Sequence, residues 1–494
     1  MERSLKERYL IKLFSNIVNG LINIILVAIV PKALGPVAFG HFSYLQQFFS
    51  QVIAFLDAGT STAFFTKLSA KNSRAELLVF YFIFSILLVG LLFFIIYFMD
   101  IFDYINFFLP DIPTDYIYYG AIFGIFTWIT QVYIKISDAY ALTVSVEIVK
   151  IIHKIATLFL LLYIINFLPF DLYVYFYFHF ISLVSFLMIV SILFVKKNII
   201  SKQLFCLKIK YTNIIKEFYF YCSPLFVFNV IAILIGLFDI WLLQTVSGSV
   251  QTGFYGLAYS IAAMCFLFTS AMTPIITREF SKSFEENDID RVVNLFKRYI
   301  PMLYAIATYF SVFIAFQAEN LLAIFTDEKF KDALFVLIIM AFYPIHQTYG
   351  QLSGSLFFAN GTTKLYRNIG LVSSLIGLFF SYLFIYHFEF GALGFGTKMI
   401  LTQVIGVNIQ LYFNTKLLKL KMSYFVYHQI YTVMSFSIIA YLSSLFIHID
   451  NHIYEFLLCG VLYTLLSAIL IYSFPQIMAI TKIKLKHFIF RKKN

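Results

Sequence analysis

Apolar runs bounded by short stretches of Gly, Pro, Asn and charge recur along the whole chain, each close to the roughly 20 residues that a membrane-spanning helix requires. Fourteen such spans are predicted, near 12–30, 41–64, 77–98, 116–134, 144–166, 172–194, 219–243, 253–275, 299–317, 333–358, 367–387, 393–413, 424–447 and 453–474. The pattern is that of an all-α polytopic membrane protein. The longest connections on the sparsely charged side, near 99–115 and 318–332, are short and acidic or mixed, so no domain is expected outside the membrane.

Charge supports the count. Of the 36 Lys and Arg residues, 32 fall in the N-terminal segment, in alternate loops or at their helix ends, and in the C-terminal tail. The opposite side carries only Lys32, Lys329 and Lys331, with Lys398 inside a span. Cytoplasmic loops collect Lys and Arg, so both termini are expected in the cytoplasm and the number of spans is even. An omitted or spurious helix would scramble the alternation. The net charge of +11 is then loop charge facing anionic lipid, and no nucleic-acid partner is expected.

Composition agrees, with 61% hydrophobic and 12% charged residues, against about 25% charged in soluble domains. Cys206, Cys222, Cys265 and Cys459 show no CxxC and no ligand spacing, so neither a disulfide nor a metal site is expected. The basic N-terminus MERSLKERYLIK runs into its apolar stretch without a small-residue cleavage site and reads as a retained first span. Signatures such as GxxxxGK[ST], HExxH and GxSxG are absent. No enzyme activity, catalytic residue or cofactor is expected.

A repeat emerges between the two halves. Gly35-Pro-Val37-Ala-Phe-Gly40-His-Phe42 follows the first span, and Gly248-Ser-Val250-Gln-Thr-Gly253-Phe-Tyr255 follows the seventh, at a constant offset of 213 residues. Six spans separate the copies, so they share one orientation, as in parallel repeats that rock about a central site. The expected organisation is a six-helix lobe over 1–195, a basic cytoplasmic linker over 196–217, a second six-helix lobe over 218–415, two extra helices over 416–475 and a basic tail over 476–494.

The stretches ALGPVAFGHFSYLQQFF, LDAGTSTAFFTKLSA, GFYGLAYSI, TPIITREFSK, FFANGTTKLYRNIG and FGALGFGT resemble those of Wzx-type O-antigen and polysaccharide flippases. Those proteins belong to the multidrug/oligosaccharidyl-lipid/polysaccharide (MOP) exporter superfamily. The resemblance spans predicted helices 1 to 12. It implies a transporter in a bacterial inner membrane that carries undecaprenyl-diphosphate-linked oligosaccharide to the periplasmic leaflet by alternating access. It also implies a cavity between two lobes and work alongside the polysaccharide polymerase machinery. Many members have twelve helices; the added pair here resembles the lipid II flippase branch, where extra helices form a groove for the lipid tail.

Several polar residues break the apolar spans. In the second span Gln47, Ser50, Ala54, Asp57 and Ser61 fall within an arc of about 80°, bordered by Gln46 and Gln51. Amides and hydroxyls of this kind satisfy sugar hydroxyls without fixed charge; the alternative is hydrogen bonding between helices. Asp239 lies late in the seventh span, where a carboxylate facing lipid costs about 2.5–3.5 kcal/mol or more. It is expected to face a cavity, either titrating or binding a cation during transport or holding the span to a neighbouring Lys or Tyr. Gly248 and Gly253 are expected to let the outer loop after it fold tightly.

At the cytoplasmic entrance of the fifth span, Glu147, Lys150 and Lys154 share a face beside His153, near Lys135 and Asp138 at the end of the fourth. They read as contacts for a diphosphate headgroup or as snorkelling anchors. Lys398, at the outer start of the twelfth span with no evident local partner, is a second candidate for a phosphate or sugar acid. In the tenth span Tyr343, Pro344, His346, Gln347, Tyr349 and Gln351 suggest a hinge with a polar lining, though a lone His such as His346 is often simply packed. The sequon Asn360-Gly-Thr362 is expected on the cytoplasmic side and is discounted.

The rival readings are a drug/cation antiporter of the same superfamily, a lipid II-type flippase, and a membrane polysaccharide polymerase. The two cationic groups weigh against the antiporter, and the short outer loops weigh against the polymerase. The sequence is compatible with coupling to a proton or sodium gradient or to the membrane potential.

Overall fold

Helix α1, Leu5–Asp57, would be about 80 Å long if straight, while the hydrocarbon layer is about 30 Å thick. It divides at Gly35, where φ is 77° and ψ 169°. Helix α7, Tyr211–Ala263, divides in the same way at Gly248, with φ 78° and ψ 178°. A side chain disfavours this left-handed backbone, which glycine adopts freely. The two repeat motifs therefore share one turn geometry. The turn is a single residue, tighter than the outer loop expected from the sequence.

These features come from a computed structural model that describes residues 5–70, 76–140, 142–200, 211–266, 269 and 273–480. Residues 201–210 of the predicted linker, with Cys206, and residues 481–494 of the predicted tail lie outside the described residues. Twelve described helical stretches are long and apolar enough to cross a membrane. Two of them contain the turns at Gly35 and Gly248, so fourteen crossings result, as the charge pattern requires.

The remaining long helices are α2 (Thr60–Ala70), α3 (Glu76–Ile101), α4 (Thr114–Ala139), α5 (Thr143–Phe167), α6 (Leu172–Lys196), α8 (Thr273–Glu285), α9 (Ile289–Phe316), α10 (Tyr343–Ala359), α11 (Thr363–Ser381), α12 (Gly391–Leu417), α13 (Met422–Phe446) and α14 (His452–Ser473). Side chains start several of them. Asp171 accepts from the Val174 amide at 2.9 Å, Asp288 from the Arg291 amide at 2.9 Å, and Asn451 from the amides of Ile453 and Tyr454; each occupies amide groups that a helix start leaves unpaired.

The chain forms two contact units. One comprises Met1–Leu26 and Ala33–Gly253, the other Val27–Lys32 and Phe254–Asn494. In the first, Phe64, Leu77, Tyr81, Val132, Val190 and Phe194 form a buried cluster. In the second, Phe280, Phe296, Tyr304, Ile345, Leu352 and Phe425 do the same. Helices α13 and α14 are fixed to the end of α9 by polar contacts: Tyr463 donates to the Tyr309 carbonyl at 2.8 Å, Gln317 to Ser444 at 3.0 Å and Asn320 to Gln317 at 2.9 Å, while His452 pairs with Asn320 at 2.7 Å.

Three boundaries differ from the sequence reading. The second span is not continuous over 41–64, because Ala58 and Gly59 take positive φ values of 47° and 80° and α2 starts afresh at Thr60. The eighth span is interrupted at Met264 and Cys265, after which Phe266 and Thr269 are again helical. The tenth span is interrupted between Met340 and Tyr343, with Pro344 in the first turn of α10. That position suits proline, whose missing amide is unpaired there in any case.

Candidate functional site

The second limb of α1 has two unlike faces. Leu45, Phe49 and Ile53 are buried against α4, where a Cβ on Gly120 would meet Leu45 and Phe49, and one on Gly124 would meet Ile53 and Phe49. Glycines four apart let membrane helices approach closely. This seats the apolar face and leaves Gln46, Ser50 and Ala54 exposed, with Gln47 and Gln51 half-buried. Amides and hydroxyls on an exposed face of a membrane helix belong against water, ligand or protein rather than lipid. Gln51 lies against Gly236 in the first limb of α7, whose absent side chain leaves room for its amide.

At the end of this face the chain breaks and a polar cluster forms. Asp57, only 7% exposed, accepts from Thr60 Oγ1 at 2.8 Å, Tyr81 OH at 2.9 Å, the Ser61 amide at 3.1 Å and Ser61 Oγ at 2.8 Å. It thus starts α2 across the turn at Ala58 and Gly59. Lys135 Nζ donates to Ser61 Oγ at 2.8 Å. The helical arc from Gln47 to Ser61 is therefore corrected: Ser61 reaches Asp57 by capping, not by helical spacing. Lys135 joins this cluster through Ser61. Thr60 and Tyr81 were not singled out from sequence; Asp-Ala-Gly-Thr-Ser-Thr, a turn signature inside an apolar run, marks the break.

Lys150 and Lys154 sit in a different setting. Glu147, 3% exposed, accepts from Ser15 Oγ, and Lys150 Nζ lies 3.6 Å from its carboxylate. Lys154 Nζ donates to Asn23 Oδ1 at 2.9 Å, while Asn19 donates to Ser15. Ser15, Asn19 and Asn23 stand four residues apart on α1, so one polar stripe faces α5. That spacing is visible in the sequence.

The two repeat motifs meet directly. A Cβ built on Gly40 would fall on the Ser249 carbonyl, and one on Gly253 on the Pro36 carbonyl. Since Pro36 and Ser249 are also 213 residues apart, each motif makes on the other the contact it receives. Nearby, Gln244 donates to Ser249 Oγ at 2.7 Å, and Trp241 Nε1 to the Phe107 carbonyl at 2.6 Å. Asp239 is 7% exposed. It lies nine residues before the Gly248 turn, about 13.5 Å of helix rise and deeper than the sequence boundaries implied.

In the second unit Lys398 is 6% exposed, and its Nζ lies 5.4 Å from the Phe395 ring centroid. The expectation of no local partner is corrected: the ring one turn earlier offers a cation–π contact. Gly377 of α11 leaves space for the lysine stem. Gln347 accepts from Gln403 Nε2, linking α10 to α12. His346 packs at 6.0 Å from the Tyr304 ring, and its buried Nδ1 has no hydrogen-bond partner among the described residues. It is packed, as expected, but not fully satisfied.

Comparison with known proteins follows from this architecture. Residues 6–278 match the family described as "Polysaccharide biosynthesis protein". No curated protein sequence matches significantly. Among solved structures, "Lipid II flippase MurJ, inward closed conformation" is similar at 15% identity and a TM-score of 0.67, covering 94% of this chain and 99% of that one. An inward-facing multidrug resistance MATE family transporter of the MOP superfamily is similar at 16% identity and 0.65, covering 82% and 95%. A MOP superfamily transporter from Pyrococcus furiosus, described as having reverse polarity of its binding pocket, reaches 15% and 0.51, covering 83% and 92%. At these identities the structures carry the fold, and the sequence match carries the family. The matched segment exceeds half of the 494 residues, and the chain belongs to the polysaccharide biosynthesis protein family, with the fold of MOP superfamily transporters.

Proposed function

We propose that the chain is a flippase for undecaprenyl-diphosphate-linked oligosaccharide, moving an O-antigen or capsule-type repeat unit from the cytoplasmic to the periplasmic leaflet of a bacterial inner membrane. The observation that carries this reading is the exposed amide and hydroxyl face of α1, with Gln46, Gln47, Ser50 and Gln51. It is uncharged along its length and ends at the cluster of Asp57 and Lys135. Such a surface pairs with sugar hydroxyls, and a cation at its end suits a phosphate. Family membership supports a polysaccharide precursor as cargo.

In this reading Gln47, Ser50, Asp57, Ser61, Asp239, Lys398, His346 and Gln347 line the path of the sugar. Lys135, at the end of the α1 face, receives the diphosphate. The Asp57 cluster joins a carboxylate, a phenol and an ammonium group through hydrogen bonds. It is the natural place for coupling to a proton or sodium gradient, or to the membrane potential. Six-helix lobes over 1–195 and 218–415 rock about the path, and the polysaccharide polymerase machinery receives the product.

The test is leaflet-resolved measurement of undecaprenyl-linked oligosaccharide in cells depleted of the protein. Complete repeat units trapped facing the cytoplasm, with loss of surface polysaccharide, are expected. Periplasmic accumulation of unpolymerised units would point to a polymerase. Unchanged pools would favour a drug/cation antiporter, the reading that the MATE likeness supports. Accumulation of lipid II alone would favour a lipid II-type flippase.

A further inference from the structure

Three helix ends in the second unit enclose a cavity of about 1380 Å³. Its walls come from the first turns of α9, the first turns of α13, Ile471 of α14, and Gln476, Met478, Ala479 and Ile480 beyond it. The floor is built: His428 Nε2 pairs with the Ile477 carbonyl at 2.8 Å, and Pro475 and Ile477 are buried.

Two of the cavity's cations are available. Arg291 is engaged by Glu279 at 2.6 Å and by Glu286 at 3.4 Å, and the Asp288 side chain caps α9. Lys297 and Arg298 also line the cavity. Both are exposed, and among the described residues neither has a carboxylate within ion-pair distance. Arg298 lies 5.3 Å from the Tyr299 ring centroid. With Arg291 held by two carboxylates and Asp288 turned onto the α9 amide, Lys297 and Arg298 remain beside Asp290.

The rest of the wall is aromatic and aliphatic. Tyr424, Tyr427 and Tyr431 occupy one face of α13 and are 48%, 73% and 40% exposed. Leu295 and Ile471 add apolar surface. Tyrosine settles where hydrocarbon meets water, its ring against carbon and its hydroxyl toward polar groups. A soluble anion needs only the cations; a lipid phosphate attached to glycerol and acyl chains uses both surfaces.

We propose that this cavity binds a phosphate-bearing lipid of the surrounding leaflet, with Lys297 and Arg298 on the phosphate and the α13 tyrosines against the glycerol and first acyl carbons. The proposal does not depend on which cargo is carried. Its volume admits a headgroup with the upper part of its chains.

The test uses the full chain in phosphatidylcholine nanodiscs doped with phosphatidylglycerol, followed by native mass spectrometry of the lipid retained after extraction. One phosphatidylglycerol held in preference to phosphatidylcholine is expected. The double variant Lys297→Gln/Arg298→Gln should weaken that preference about thirtyfold, the combined worth of two cations beside an anionic lipid. Tyr427→Ala, which keeps both charges, should weaken retention of both lipids. Equal retention of the two lipids by the wild type, or an unaltered double variant with the wild-type unfolding midpoint, overturns the proposal. Inorganic phosphate separates the sources: failure to displace the lipid supports a lipid site, and full displacement at millimolar concentration overturns it in favour of a soluble phosphate ligand.

Discussion

Gly40 and Gly253 lie against one another in the first unit, so close that a Cβ on Gly253 would stand 3.2 Å from the Gly40 amide nitrogen and one on Gly40 would stand 3.1 Å from that of Gly253. The contact is reciprocal, as between copies related by a twofold axis. The internal repeat is thereby visible as packing as well as sequence.

Gly40→Val and Gly253→Val should each force these backbones apart, at a cost of about 1–3 kcal/mol for overpacking. Export should fall while the chain stays in the membrane, and the double variant should cost less than the two singles together because both relieve one contact. Additive losses of surface polysaccharide would refute a shared contact.

Asp57→Ala removes the acceptor for Thr60, Ser61 and Tyr81 and should destabilise the start of α2 by about 1 kcal/mol, the worth of a cap. Asp57→Asn keeps an acceptor oxygen while losing the charge. If the charge beside Lys135 is needed for transport, both variants lose export, and only the alanine variant loses thermal stability. Normal export by the asparagine variant would leave the carboxylate a capping role alone.

Gly124→Leu should lower stability by about 1–3 kcal/mol through overpacking, since the added side chain meets Ile53 and Phe49. Thermal unfolding in detergent would register the change. A wild-type midpoint would mean that α1 and α4 do not depend on this close approach.

Lys398→Met retains an apolar stem of similar length and deletes the charge above Phe395. Export should drop with membrane abundance unchanged, because a buried cation is replaced by a side chain that packs easily. Unimpaired surface polysaccharide would remove Lys398 from the sugar path.

Much of the architecture was legible because it is local. Runs of apolar residues and alternating loop charge report each crossing one at a time. What escaped depends on partners far along the chain. Lys135 meets Ser61, 74 residues away, and Lys154 meets Asn23, 131 residues away, so the grouping of Lys135 with Lys150 and Lys154 followed from adjacency in sequence. The break after Asp57 escaped for another reason: its apolar flanks outweighed a short turn signature. The glycines at 35 and 248 suggested loops, yet each breaks its helix as a single residue.

That economy has a mechanical consequence. With one residue at each bend, the limbs of α1 and of α7 have no slack between them, and each pair behaves as a stiff fork whose tines cannot slide independently. Peptide tags or insertions placed at Gly35 or Gly248 would splay the tines, whereas the same insertions near Asp103, in the longer connection between α3 and α4, would be absorbed.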